Sequence, residues 1–158
     1  MTASFDPHLP IGAKGTIDSV EYEVLGWTLK EENNHYASQW REYCLFNAKE
    51  GFAFLSEYDG NSTFLKEKKN APVLNKDGVK SIEYNGENFE RFNQYTHKVI
   101  AANGSFPYNI LIIRIHLQQN IFLLPKYGSG KSIVQKEFVG TMVHIFLKKH
   151  LNVLSIMK

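Results

Sequence analysis

The chain has 158 residues, 43% of them hydrophobic and 13% aromatic, which excludes a disordered or low-complexity polypeptide and fits one domain able to bury a core. Its formal charge of +2 averages two unlike parts: 15 acidic against 11 basic residues up to Ile110, then 1 against 7 from Leu111 onward. Cys44 is the lone cysteine, so a disulfide framework and a thiol-built zinc site are excluded.

Residues 1–10 read as an N-terminal extension without a basic segment followed by an apolar run, so no secretory signal and a cytoplasmic location are expected. Val20, Tyr22 and Val24 then alternate with Glu21 and Glu23, the period-two pattern of a half-buried strand continuing to Leu29. Asp18-Ser19 is a turn before it, and Asn33-Asn34 marks the turn after it. Residues 40–47 resume the alternation, Lys49-Glu50-Gly51 connects tightly to a strand at 52–58, and Asp59-Gly60 predicts a hairpin into 63–66. Residues 66–80 are polar and read as a loop or hinge. Strand character returns at 81–84, and after Asn85-Gly86 the stretch 88–102 places Phe89, Arg91, Asn93, Tyr95, His97 and Val99 on one parity, with a helix as the alternative for part of it. The expected fold is mainly β: a small, strongly curved antiparallel barrel with a β extension. The C-terminal tail is left as a short helix or irregular.

The segments IGAKGTIDSVEYEVLGW, WREYCLFNAKEGFAFLSEYDGN and YNGENFERFNQYTHKVIAANGSFPYNI occur in this order over about residues 11–110. They resemble the bacterial domain of unknown function family numbered 4178. The resemblance implies a fold and a context, association with phage-shock-type membrane-stress proteins and aminopropyltransferase-like proteins, but no catalytic activity. Two departures stand out. No Cys-x-x-Cys precedes Ile11, and Gly60, Asn61 and Ser62 stand where the family often has Gly-His-Trp.

The most family-like cluster is Trp40, Glu42 and Tyr43 with Leu55, Ser56, Glu57 and Gly60, on neighbouring strands if the hairpins form. Trp40, Glu42, Tyr43, Ser56, Glu57 and Gly60 are therefore the candidate interaction surface. The plainer reading makes Trp40 and Tyr43 core aromatics and Glu42 and Glu57 strand-face carboxylates. His8, His35 and His97 lack a partner at metal-ligand spacing, so no metal site or cofactor is expected. Cys44, between Tyr43 and Leu45, reads as a small buried apolar residue rather than a reactive thiolate.

In the tail, Gly130-Lys131-Ser132 resembles the end of a phosphate loop, but Pro125 stands where its first glycine belongs. Residues 111–124 are apolar but interrupted by Arg114, His116, Gln118, Gln119 and Asn120, and too short to span a bilayer. Basic residues scattered among Ile, Leu and Val do not make a nucleic-acid-binding arm. Residues 111–158 read either as a divergent tail packing as an amphipathic helix or a strand pair, or as translated out of frame. Back-translating Val139 to His144 from each codon's third base permits Trp-Tyr-Asn-Gly-Thr-Tyr, which is similar to the family's C-terminal region.

Three functions are weighed. The first is a non-enzymatic β-rich module that contacts a protein partner, in the membrane-stress context implied by the resemblance. The second is a small hydrolase or ligand-binding barrel using Glu42, Glu57 and His97, which requires those side chains to converge. The third, a small barrel binding single-stranded nucleic acid, is disfavoured by the net −4 that 15 acids and 11 bases give up to Ile110.

Overall fold

The first hairpin follows from its turn. Asp18 and Ser19 both take positive φ (50° and 66°), the two-residue backbone whose twist matches that of paired strands. The turn joins β1 (Lys14–Ile17) to β2 (Val20–Glu32), in a computed structural model that describes residues 7–67, 73–74, 81–84, 87–108, 118–125, 133–139 and 142–151. β3 (Gln39–Asn47), β4 (Gly51–Tyr58) and β5 (Asn61–Glu67) continue the antiparallel meander. The β3–β4 connection is closed by Asn47 Oδ1, which accepts the backbone N–H groups of Lys49 and Glu50 at 2.8 and 2.9 Å. Asp59 and Gly60 (φ 48° and 72°) repeat the left-handed turn between β4 and β5.

β6 (Val73–Leu74), β7 (Ser81–Tyr84) and β8 (Glu87–Gly104) form the extension. β8 is strand throughout, and no part of 88–102 takes the helical alternative, because its second half pairs with β2 from Glu32–His97 to Gly26–Gly104. Residues 68–72 and 75–80 of the expected loop lie outside the described residues, as does the 128–132 segment.

Of the forms open to the tail, its described residues take the strand form rather than a helix or irregular chain, contributing β9 (Gln118–Pro125), β10 (Ile133–Val139) and β11 (Met142–Leu151). β9 and β11 carry short apolar runs, Ile121 to Leu124 and Ile145 to Leu147, with the β-branched and aromatic residues that strands favour, and antiparallel register joins both to β10.

Strand order is β1-β2-β3-β4-β5-β11-β10-β9-β8-β7-β6, with an added pairing of β2 to β8. The strongly curled sheet is thus joined back on itself, from β2 round to β8 and again to β2. Its curvature is visible in one contact: Tyr22 on β2 meets Phe64 on β5 edge to face at 5.6 Å, across the two intervening strands. The face that carries Tyr22, called the inner face, has as its core Ile17, Tyr22, Val24, Tyr43, Leu45, Ala53, Leu55 and Phe64, and the opposite face is called the outer one. Leu9 and Ala13 of the N-terminal segment pack against it. The outer face carries a second cluster of Cys44, Phe54 and Leu65, covered by Phe106 and Tyr108.

Closure depends on a backbone crossing. One edge of β2 pairs with β1 through residues 20–23 and with β8 through residues 26–32. A register shift between Val24 and Gly26 makes the change of partner, increasing local twist as β-bulges do. At the crossing Gly104 has φ +95°, and a Cβ there would lie 2.3 Å from the Leu25 carbonyl oxygen and 2.5 Å from the Gly26 Cα. The Leu25 carbonyl also accepts the Ser105 N–H at 2.9 Å. Neither contact atom belongs to a side chain that could rotate away.

Gly104→Ala is expected to cost about 2–5 kcal/mol, combining backbone strain with a steric clash. Gly12→Ala, where φ is +88° but nothing lies within 4 Å, is expected to cost only about 1 kcal/mol. Urea denaturation of the two variants checks this; equal losses would show that the crossing is not tightly packed.

Candidate functional site

β3 and β4 carry the residues singled out from the sequence, and their register separates them. Arg41 pairs with Glu57, Glu42 with Ser56, and Tyr43 with Leu55. Opposed residues share a face of the sheet, so Glu42 and Ser56 lie on the outer face while Tyr43 and Glu57 lie on the inner one. The proposed convergence of Glu42, Glu57 and His97 is therefore not assembled. Residue parity is the physical reason: 42 and 57 belong to neighbouring cross-strand pairs, and neighbouring pairs point in opposite directions.

On the outer face Lys30 Nζ donates to Glu42 Oε1 at 2.7 Å, with only 2% and 5% of the two side chains exposed. Thr28 Oγ1 donates to the Glu42 backbone carbonyl at 3.4 Å. Trp40 stands beside this pair, since Lys30 is its cross-strand neighbour. Its ring lies edge to face with Tyr95 at 5.8 Å and tilted against His97 at 5.3 Å. His97 is fully buried. Taking two charges out of water is costly, and a short, well-aligned pair offsets that cost only as long as both partners remain.

Cys44 follows on the same face, buried against Phe54 and Leu65. Burial, with the Glu42 charge adding to it, pushes its thiol up to about 12, so at neutral pH it is a protonated packing group rather than a nucleophile. Phe54 stacks on Tyr108 at 6.0 Å, and Tyr108 stacks on Phe106 at 5.9 Å.

On the inner face the Tyr43 hydroxyl is a polar hub inside the apolar core. It donates to Glu57 Oε2 at 3.2 Å and accepts the His8 backbone N–H at 3.1 Å. Glu57 Oε1 meets His8 Nδ1 at 2.8 Å. Burial, then the Glu57 charge, raises the Tyr43 phenol to about 12. The N-terminal segment is thus tied to β3 and β4 through their own candidate residues.

Of the six residues proposed as a contact surface, Glu42 and Tyr43 are buried, Trp40, Ser56 and Glu57 are half-buried, and Gly60 is exposed at its turn. Sequence reasoning missed Lys30, although it shares parity with Thr28 and lies within the β2 run. It also missed Tyr36 and Tyr58, which are 84% and 53% exposed. The signal for Tyr36 lay in its neighbour: Asn34 Oδ1 accepts the Tyr36 and Ala37 N–H groups at 3.0 and 2.9 Å, an Asx turn that lifts Tyr36 out of the strands. Among the described residues no three His, Cys, Asp or Glu side chains gather as a metal-ligand set, and no helix is long and apolar enough to cross a membrane.

Lys30→Met alone is expected to cost about 3–5 kcal/mol, and the double variant Lys30→Met/Glu42→Leu to recover most of that loss. A double-mutant cycle by urea denaturation measures it; additive losses would show that the pair is not coupled. A second expectation concerns alkaline pH. Folded Cys44 and Tyr43 hold their protons to about 12, above their ordinary 9.0 and 10.0. In the interval between those values the unfolded chain binds fewer protons, so stability falls as pH rises through it. Cys44→Ala removes one contribution and should flatten the decline in urea midpoint from about pH 8 to about pH 11; an unchanged slope would contradict the assignment to Cys44.

Neither a curated protein nor a solved structure matches the chain. One family model does, described as a domain of unknown function (DUF4178), and it covers residues 10–111, from the turn before β1 to just past the aromatic segment that covers the outer face. The chain belongs to the DUF4178 family.

Proposed function

We propose that this chain is a β-rich protein-interaction module whose contact surface is the end of the sheet formed by the β2–β3 loop and the β4–β5 turn. Antiparallel order brings these two connections to the same end of the meander. The observation that carries the reading is a division of labour. At the sheet centre Lys30 is engaged with Glu42, and Glu57 with Tyr43 and His8, while the two most exposed large hydrophobic side chains among the described residues, Tyr36 and Tyr58, stand at one end, against 37% exposure for Phe52 at the other.

Tyrosine suits such a surface because it offers a large amphipathic area at low conformational cost. Tyr58 adjoins the Asp59-Gly60 turn, and Trp40 is the second residue of the neighbouring strand, so Trp40, Ser56, Glu57 and Gly60 of the family-like cluster border the same end. Glu42 and Tyr43 support it from beneath. In this reading the partner is a protein of the cytoplasmic membrane-stress setting that the family resemblance implies.

A photoreactive amino acid placed at Tyr36 or Tyr58 of the full chain in cells is expected to capture one common polypeptide. The same probe at Lys49, exposed at the opposite end, should not. Tyr58→Ala should lower the yield from position 36 by about tenfold, as loss of an interface anchor does. Equal capture from positions 36, 58 and 49, or capture from none, overturns the proposal.

A further inference from the structure

The interaction reading leaves open what kind of group the surface would grip, and the inner face bears on this. Residues 8–13 lie over β3 and β4 as a strap. Leu9 and Ala13 pack against the inner core, and Ala13 N–H donates to the Pro10 carbonyl at 3.1 Å across a turn whose third residue, Gly12, has φ +88°. The turn is fixed to β2, where Gly12 N–H donates to the Val24 carbonyl at 2.8 Å and Val24 N–H to the Ala13 carbonyl at 2.9 Å. Beyond it the backbone of Leu9 also bonds to Tyr43, the His8 backbone N–H reaches the Tyr43 hydroxyl at 3.1 Å and the His8 ring the Glu57 carboxylate at 2.8 Å. The His8 side chain is 63% exposed, whereas Glu57 is only 17% exposed, so the socket is built into the sheet and its occupant sits at the surface.

We propose that Tyr43 and Glu57 form a socket for an extended, basic segment of a partner protein, and that residues 8–9 of this chain are its built-in occupant. The socket has the two parts that such a ligand requires. A buried hydroxyl accepts a backbone N–H, and a half-buried carboxylate, held by that same hydroxyl, accepts a cationic side chain. An arginine answers this carboxylate better than an imidazole does, because its guanidinium is always charged and presents paired donors. Displacing the strap pivots it about the turn at Gly12 and opens the socket on the inner face at the end of β4, one residue before Tyr58, which points to the other face. This inference rests on the interaction reading and specifies the partner's chemistry.

The test uses the full chain and a soluble peptide probe, Pro-Arg-Leu-Pro-Ile-Gly-Ala, which copies residues 7–13 with arginine in place of histidine. Binding is read by fluorescence anisotropy, and the site by amide NMR shifts at Glu57 and Tyr58. His8→Ala weakens the internal competitor and should tighten binding by at least about fivefold over the unaltered chain. The same peptide with neutral citrulline for arginine should bind at least about tenfold more weakly, which probes the carboxylate without altering the protein. Tyr43→Phe, which keeps the ring, should weaken both peptides alike. Equal affinity for the arginine and citrulline peptides, no gain from His8→Ala, or no binding overturns the socket. If the socket fails while cross-links from positions 36 and 58 persist, the contact end stands without it; if peptides bind but the cross-links fail, the contact end has been misplaced.

Discussion

The approach of Gly104 to Gly26 is the contact on which the rest of the fold depends. A strand edge offers one row of backbone donors and acceptors, and β2 divides that row between two partners, β1 along its first half and β8 along its second. The change of partner needs a bulge in β2 and a neighbour with no Cβ, because the Leu25 carbonyl and the Gly26 Cα occupy the space that any side chain at position 104 would fill. Once β8 is joined to β2, the long extension is no longer a separate hairpin. It becomes the far wall of the curled sheet, and the strands of the tail fill the interval between β8 and β5.

The crossing also brings together the two segments that cover the sheet. Ile11 of the N-terminal strap approaches Gly104, and the Phe106 ring approaches Gly26. From there the strap runs over the inner core and the aromatic segment over the outer cluster. A sheet of this curvature is therefore buried on both sides near its centre, which explains why β3 has four successive buried residues, Glu42 to Leu45, where a one-sided sheet would alternate. It also explains why a carboxylate such as Glu42 requires its own buried cation. Charge is spent internally at the centre of the sheet, and contact chemistry is left to its ends.

Much of the fold was legible in the residue order. The turns at Asp18-Ser19 and Asp59-Gly60, the connection at 49–51 and the strands between them follow from local rules of twist and alternation. The tail is less legible, because short apolar runs such as 121–124 fit a helix or a strand alike, and the pairing of β9 and β11 with β10 places them in the sheet. The site was less legible. Alternation separates 42 from 57 only when the register of β3 on β4 is known, and a shift of one residue would have put both on the same face.

A mainly β fold, several places where the chain reverses and the resemblance to its family are legible in the residue order. The strands and turns depend on a residue and its near neighbours, and the resemblance on the order of its motifs. The pairing of Lys30 with Glu42 and of His8 with Glu57, the shared end of Tyr36 and Tyr58, and the return of β8 to β2 come from the folded chain. Those contacts join residues far apart in the chain, and which of the compatible partners meet is selected by register, curvature and the space left at one glycine.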